Sequence, residues 1–454
     1  MSLFDTIASY LPTIENPKKL LSLRERIYNT LLVIVLYTII ASIPLFGISP
    51  EVSTRLEQLM WLFGSNLGTL ASVGIAPPIV AGILMQLLVG MKIIDIDITK
   101  DEGREKFDNY TRVLAFFFII IESLVLITSG NIVPNIYLGI NIYLLYIILF
   151  IQLVIGGLII LLLDDFAYKY GITSGINIII LTVSSVALAL RLFKLLSPPA
   201  GNINLFAQPT GYIPAGLLYL SEGNFNLGLA FIFAAIATFG ILIFAVYLQS
   251  LKVEVPLLYF NINGEVIKYP IQLLYTSVIP AIFIYALIIE LQSIFGFNPN
   301  NPIVQLLSPP NVIINLGQFG ISWLYNWFNI FHIIFYFLLF VIGGMFISKF
   351  WIYAIGMDPK NLANYLTNEP TSPLYMRDPR IVEDTLRKYI DPIGYLSGFL
   401  MGLLASLGDI LSSAVSGVSI LLLIVIAGQI YNDMKRLNAL HLFPLIGKYL
   451  SKNG

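Results

Sequence analysis

Long apolar runs separated by short polar segments dominate this chain. The runs lie near 27–48, 72–91, 110–130, 140–163, 175–195, 226–249, 270–296, 327–355, 393–410 and 414–433. A helix needs about 20 apolar residues to cross a bilayer, so the pattern predicts an all-α polytopic membrane protein with ten transmembrane helices. Between the runs, 198–225 and 298–326 are rich in Pro, Gly, Asn and Ser with almost no charge, whereas 250–270 and 357–392 carry charge and Pro and Gly turn signals. The charged pair reads as hairpins or short helices projecting from the membrane, with plain solvated linkers as the alternative.

One run departs from the rest. Span two contains Gly74-Ile75-Ala76-Pro77-Pro78 near its start. Proline removes a backbone donor and clashes with the preceding turn, so a helix must begin or bend there. Inside a bilayer such a break is tolerated only where protein buries it or water lines it. The expectation is a short helix that starts within the membrane, preceded by chain folded into a cavity. Span seven carries Pro270 near its start and Pro280 inside it.

Composition agrees with the pattern: 57% of residues are hydrophobic and 11% charged, against about 25% charged in a soluble domain. The absence of cysteine excludes disulfides, thiol nucleophiles and cysteine metal sites. The two histidines, His332 and His441, lie far apart and make a poor metal pair. Met1 to Leu23 is polar, broken by Pro12 and Pro17, and does not read as a cleavable signal peptide. No paired-carboxylate motif, Ser-His-Asp set or phosphate loop is recognisable, so neither catalysis nor a cofactor is expected.

Net charge is −1, which conceals a strong asymmetry. With the N-terminus placed in the cytoplasm, 22 of the Lys and Arg residues fall on inner segments and 3 (Arg55, Arg191 and Lys194) on outer ones. The positive-inside rule then predicts two cytoplasmic termini. Spans one to five would run outward and six to ten inward, and the second span of each half is broken, by Gly74, Pro77 and Pro78 in one and by Pro270 and Pro280 in the other. Interrupted helices at matching positions of two inverted halves place a functional site at the interface of the repeats. Glu122 sits within an apolar span, where a charge costs about 3 kcal/mol and faces protein or water. Glu290, near the outer end of span seven, is equally placed to reach headgroups. Asp164, Asp165, Asp409 and Lys349 at span ends read as interfacial anchors.

The run Gly68-Thr69-Leu70 … Gly74-Ile75-Ala76-Pro77 … Ala81-Gly82-Ile83-Leu84-Met85-Gln86-Leu87-Leu88-Val89-Gly90 resembles the second-span signature of the SecY family, large subunits of the protein-conducting translocon. Tyr170-Gly171-Ile172-Thr173-Ser174-Gly175-Ile176 resembles the motif leading into span five. Val253-Glu254-Val255-Pro256 and Lys268-Tyr269-Pro270-Ile271 resemble the loop between spans six and seven in its archaeal form. Gly356-Met357-Asp358-Pro359-Lys360, with Lys388-Tyr389-Ile390 and Pro392, resembles the next long loop. The similarity extends over essentially the whole chain.

This resemblance implies two inverted five-helix halves around an hourglass pore. It implies a cytoplasmic segment 1–26, an N-terminal half 27–197, an external hinge 198–225, a C-terminal half 226–434 and a cytoplasmic tail 435–454. By motif alignment the pore ring falls on Ile75, Ile79, Ile176, Ile180, Ile282 and Leu422. Branched apolar side chains seal against ions by dewetting and offer a passing polypeptide no hydrogen bonds. A plug at about 57–70 would include Met60, Trp61, Leu62, Phe63, Gly64, Ser65, Asn66 and Leu67. A lateral gate, between spans two and three on one half and seven and eight on the other, would carry Val80, Glu122 and Glu290. Glu290 stands where the family often has Asn and Val80 where a small polar residue is frequent, so the gate's polar cluster is altered here.

Lys252, Lys268, Arg377, Arg380, Arg387 and Lys388 match the docking surface for the ribosome and the signal recognition particle receptor. Basic side chains there suit RNA phosphates, although the positive-inside rule alone would also place them. The implied partners are SecE (gamma), a small beta subunit, nascent secretory and membrane polypeptides, and lipid. The competing reading is an inverted-repeat secondary transporter of a small solute. It predicts polar ligands at the breaks, where this chain has Ile and Val.

Overall fold

The structure is a computed structural model that describes residues 3–19, 21–49, 68–96, 101–128, 130, 132–195, 211–260, 266–276, 278–295, 300–368, 374 and 378–436. In chain order the helices are α1 (Leu3–Tyr10), α2 (Leu23–Ser42), α3 (Ala76–Gly90), α4 (Asp101–Thr128), α5 (Ile142–Tyr170), α6 (Gly175–Phe193), α7 (Tyr212–Ser221) and α8 (Phe225–Ser250). A hairpin of β1 (Lys252–Phe260) and β2 (Val266–Gln272) follows. The remaining helices are α9 (Ile279–Ile294), α10 (Pro302–Leu307), α11 (Val312–Phe319), α12 (Trp327–Ala354), α13 (Pro359–Asn368), α14 (Pro379–Ile410) and α15 (Gly417–Arg436).

Among the described residues 8 helices are long and apolar enough to cross a membrane. The other two expected spans are the short ones, α3 with 15 residues and α9 with 16. At 1.5 Å per residue each reaches only about 22–24 Å, less than the roughly 30 Å of a hydrocarbon core. Both are runs in which prolines lie near the start of the observed helix. Pro77 and Pro78 occupy the first turn of α3, where backbone N–H groups have no helical partner in any case. Pro280 likewise lies in the first turn of α9, so it opens the helix rather than interrupting it. Span seven therefore begins at Ile279 and not at 270, because Pro270 is spent in β2.

The chain divides into two compact units, 1–185 with 426–454, and 186–425. In the first, a core of Leu45, Val73, Ile119, Leu126, Ile132, Leu149 and Leu153 joins α4 and α5 to the segments flanking 45 and 73. Helix α2 is started by a capping box in which Glu25 N–H donates to Ser22 Oγ at 3.4 Å and Ser22 N–H to Glu25 Oε2 at 2.7 Å. Lipid is as apolar as these side chains, so close packing rather than water exclusion holds the helices together.

In the second unit α12 and α14 form the most intimate pair. Gly394, Gly398 and Gly402 repeat every fourth residue along α14, and a Cβ at Gly398 or Gly402 would run into the carbonyl of Gly344 or Phe340 on α12. Small residues at this spacing let backbones touch. The hairpin is antiparallel with Lys252 opposite Gln272 and Pro256 opposite Lys268, and a bulge follows Pro256. Val255 and Leu257 point from one face of β1 into a core with Ile271, Ala363, Leu374, Val382, Leu386, Ile390 and Ile393. Strand alternation sends Lys252 and Glu254 to the other face. That core explains why the ninth span's helix starts at Pro379 and not near 393. The apolar series Val382, Leu386, Ile390, Ile393 has helical spacing and continues through Pro392, which leaves unpaired only the carbonyl of the exposed Lys388.

Candidate functional site

The break before α3 is buried in protein. Residues 71–78 are all buried, and Ile75, at the helix cap, is fully so. Gly68 and Gly74 take φ of +86° and +62°, the left-handed region that an L side chain enters only with strain. The irregular backbone is satisfied from neighbouring chain: Leu45 N–H donates to the Gly68 carbonyl at 2.8 Å and Leu70 N–H to that of Ile43 at 3.0 Å. Gly156 of α5 lies so close to the Leu70 carbonyl that no Cβ fits between them. From this platform Ile79 is half-buried and Val80 exposed.

On α6, Ile180 is buried and Ile176 half-buried, one turn apart on one face. The start of this helix is capped by Asp164, whose Oδ1 accepts from Ile176 N–H at 3.0 Å. Its neighbour Asp165 meets Arg112 at 3.1 Å and Lys169 at 2.9 Å, and accepts from Ile14 N–H at 2.9 Å. Lys169 also donates to the Ile14 carbonyl, and Tyr170 Oη to that of Glu15 at 3.1 Å. Both were expected to be interfacial anchors; in the structure one starts a helix and the other ties the N-terminal segment to α4 and α5.

In the second unit Ile282 is half-buried in the first turns of α9, and Leu422 is buried in α15. Glu122 is half-buried on α4 of the first unit, and Glu290 lies in α9. The plug residues Met60, Trp61, Leu62, Phe63, Gly64, Ser65, Asn66 and Leu67, and Arg377 of the docking set, lie outside the described residues. Lys252, Lys268, Arg380, Arg387 and Lys388 are all exposed, on strands and a helix that share the hairpin core. Lys268 pairs with Glu254 at 2.6 Å and Arg387 with Glu383 at 2.6 Å.

Two polar clusters were not anticipated. Asp409, expected as an anchor, is buried: Oδ2 accepts from Tyr336 Oη at 2.6 Å and Oδ1 from Gly417 N–H at 2.9 Å. Its place at the end of an apolar run gave no sign of a tyrosine 73 residues away. Lys349, also read as an anchor, lies 3.7 Å from Asp391 and over the ring of Tyr395. The second cluster joins Thr276, Ser348 and Ser397, all buried. Serines within apolar spans were the available signal for it.

Together these features define a polytopic helical membrane protein with two short, internally starting helices and a basic module of hairpin and helix. The family model described as SecY matches residues 69–431, and the chain belongs to the SecY family. The protein translocase subunit SecY of Archaeoglobus fulgidus is 30% identical, with 97% of each chain covered. A solved protein-conducting channel superposes with a TM-score of 0.73 at 27% identity, covering 99% of this chain and 100% of that one. Sec61 from a canine ribosome–channel complex of the endoplasmic reticulum gives 0.70 at 27% identity, with 99% and 100% covered. The resemblance carried by the motifs is thereby established at the level of the family and its fold.

Proposed function

We propose that this chain is the central subunit of a protein-conducting channel, a passive pore through which unfolded polypeptides cross the membrane and from which signal and transmembrane segments pass sideways into lipid. The observation that carries the reading is its nearly full-length kinship with a translocase subunit SecY, in a chain whose break at 74–78 consists of buried residues with no polar side chain. A solute transporter would place polar ligands at that break. Ile75, Ile79, Ile176, Ile180, Ile282 and Leu422 form the ring, residues 57–70 the plug, and Val80, Glu122 and Glu290 belong to the gate. The halves 27–197 and 226–434 are joined by the external hinge 198–225, and both termini are cytoplasmic. Lys252, Lys268, Arg377, Arg380, Arg387 and Lys388 receive the ribosome and the targeting receptor, and SecE and a small beta subunit complete the complex. With no nucleotide motif in the chain, the driving force comes from the bound partner.

A photo-crosslinker at Ile180 tests the reading on a stalled ribosome carrying a secretory nascent chain. A crosslink that requires the signal sequence is the expected result. No crosslink, together with ion-coupled uptake of a small solute in vesicles, would replace the channel with a transporter.

A further inference from the structure

The N-terminal end of α9 is held by side-chain hydroxyls. Thr276 stands in the turn just before the helix, and its Oγ1 lies 3.0 Å from Ser348 Oγ on α12 and 3.0 Å from Ser397 Oγ on α14. Thr276 N–H donates to Ser397 Oγ at 3.3 Å, and Ser348 Oγ donates to the Gly394 carbonyl at 2.6 Å. All three side chains are buried, with relative exposures of 3%, 0% and 0%, so water cannot take over these bonds if one partner leaves. The two receiving helices are themselves locked backbone to backbone by Gly344, Gly398 and Gly402. Among the described residues α9 shows no such backbone lock on α12: a Cβ at Gly343 would press on the Ile284 side chain at 3.3 Å, not on backbone.

At its other end α9 is tied to α10, not to this pair, through Gln292 Nε2 donating to Ser308 Oγ at 3.1 Å. Ser308 is in turn fastened to α12, its carbonyl lying 2.8 Å from His332 Nε2. One end of α9 is thus seated directly on a rigid two-helix plate, and the other through an intermediate segment.

We propose that Thr276, Ser348 and Ser397 form a latch that seats α9 on the α12–α14 plate, making α9 and α12 move as one body, and that the latch sets how strong a signal sequence must be to open the gate. These are positioning residues; they touch no substrate. The gating half of the proposal rests on the channel reading above, whereas the latch itself does not.

The chain contains no cysteine, so two introduced ones are unique labelling sites. Spin labels at Leu287 on α9 and Phe346 on α12, both exposed, report the α9–α12 distance in the full complex in vesicles. The parent is expected to give one narrow distribution, Thr276→Val and Ser397→Ala a broadened one, and Thr276→Ser the narrow one again. In the same vesicles, the ratio of translocation between an intact signal and one with a charge in its apolar core is expected to fall about fivefold in Thr276→Val, the factor corresponding to one lost hydrogen bond. Thr276→Ser should restore it.

Distance distributions that superimpose for parent, Thr276→Val and Ser397→Ala would overturn the latch. A broadened distribution with unchanged signal discrimination would overturn its role in gating. Failure of the channel reading would appear separately, as loss of the Ile180 crosslink in the parent, while the spin-label comparison still decides the latch.

Discussion

The two short helices α3 and α9 solve one problem in different ways. Both begin at prolines and are too short to cross a hydrocarbon core, so each is preceded by irregular backbone whose polar groups need partners. Before α3 the answer is backbone: glycines with φ of +62° and +86°, carbonyl and amide pairs with residues 43–45, and a glycine of α5 pressed on the Leu70 carbonyl. Before α9 the answer is side chains, three hydroxyls gathered from three parts of the chain. A backbone solution is rigid and tolerates few substitutions. A hydroxyl solution is graded, since each bond can be removed singly and contributes about 1 kcal/mol net.

The difference can be broken first at Gly156. An added methyl meets the Leu70 carbonyl with nowhere to go, so Gly156→Ala should lower stability by about 1–3 kcal/mol, read as the midpoint of thermal unfolding in detergent. An unchanged midpoint would mean that the segment before α3 yields easily, and the backbone account of this break would fall. Gly74→Ala tests the same region through conformation alone. At φ of +62° a Cβ costs about 1–2 kcal/mol, and here there is no compensating hydrogen bond to gain.

Thr276→Val comes next. It keeps the shape and deletes the hydroxyl, for a loss of about 1 kcal/mol. Because Ser348 Oγ keeps its bond to the Gly394 carbonyl and Ser397 Oγ still accepts from the residue 276 N–H, the cost should stay below that of Gly156→Ala, and a larger one would mean that the cluster is as unyielding as the backbone break.

Most of the architecture was legible because membrane spans announce themselves by length. The spans near 140–163, 226–249 and 327–355 differ from α5, α8 and α12 mainly at their ends. The prolines marked the two short helices for a physical reason that holds in any sequence. What escaped lay where tertiary packing overrides local pattern: the 14 residues by which α14 extends ahead of 393 are helical because Val382, Leu386 and Ile390 pack on the hairpin. The ring candidates follow from motif alignment alone, since an isoleucine in an apolar helix looks the same whether it packs or lines a passage. Asp165 and Asp409 illustrate the other limit. Each was visible as an acidic residue at a span end, but its partners, Arg112 and Ile14 in one case and Tyr336 in the other, are distant in the chain.

The smallest stability effect should come from the exposed charges of the hairpin, and this sharpens the comparison from a solvated site. Lys268 and Glu254 meet at 2.6 Å with 59% of each side chain exposed. Screened by water, such a pair is worth roughly 0.2–1 kcal/mol, so Lys268→Gln should leave the unfolding midpoint nearly unmoved. Its effect on docking should be far larger if Lys268 faces RNA phosphate, because each neutralised phosphate releases counterions and steepens the dependence of affinity on salt. Ribosome affinity of the variant, measured across a salt series, should therefore be lower and less salt-sensitive than the parent's. Equal slopes for the two would show that Lys268 only answers Glu254 across the hairpin, and the docking role would pass to Arg380, Arg387 and Lys388 on the neighbouring helix.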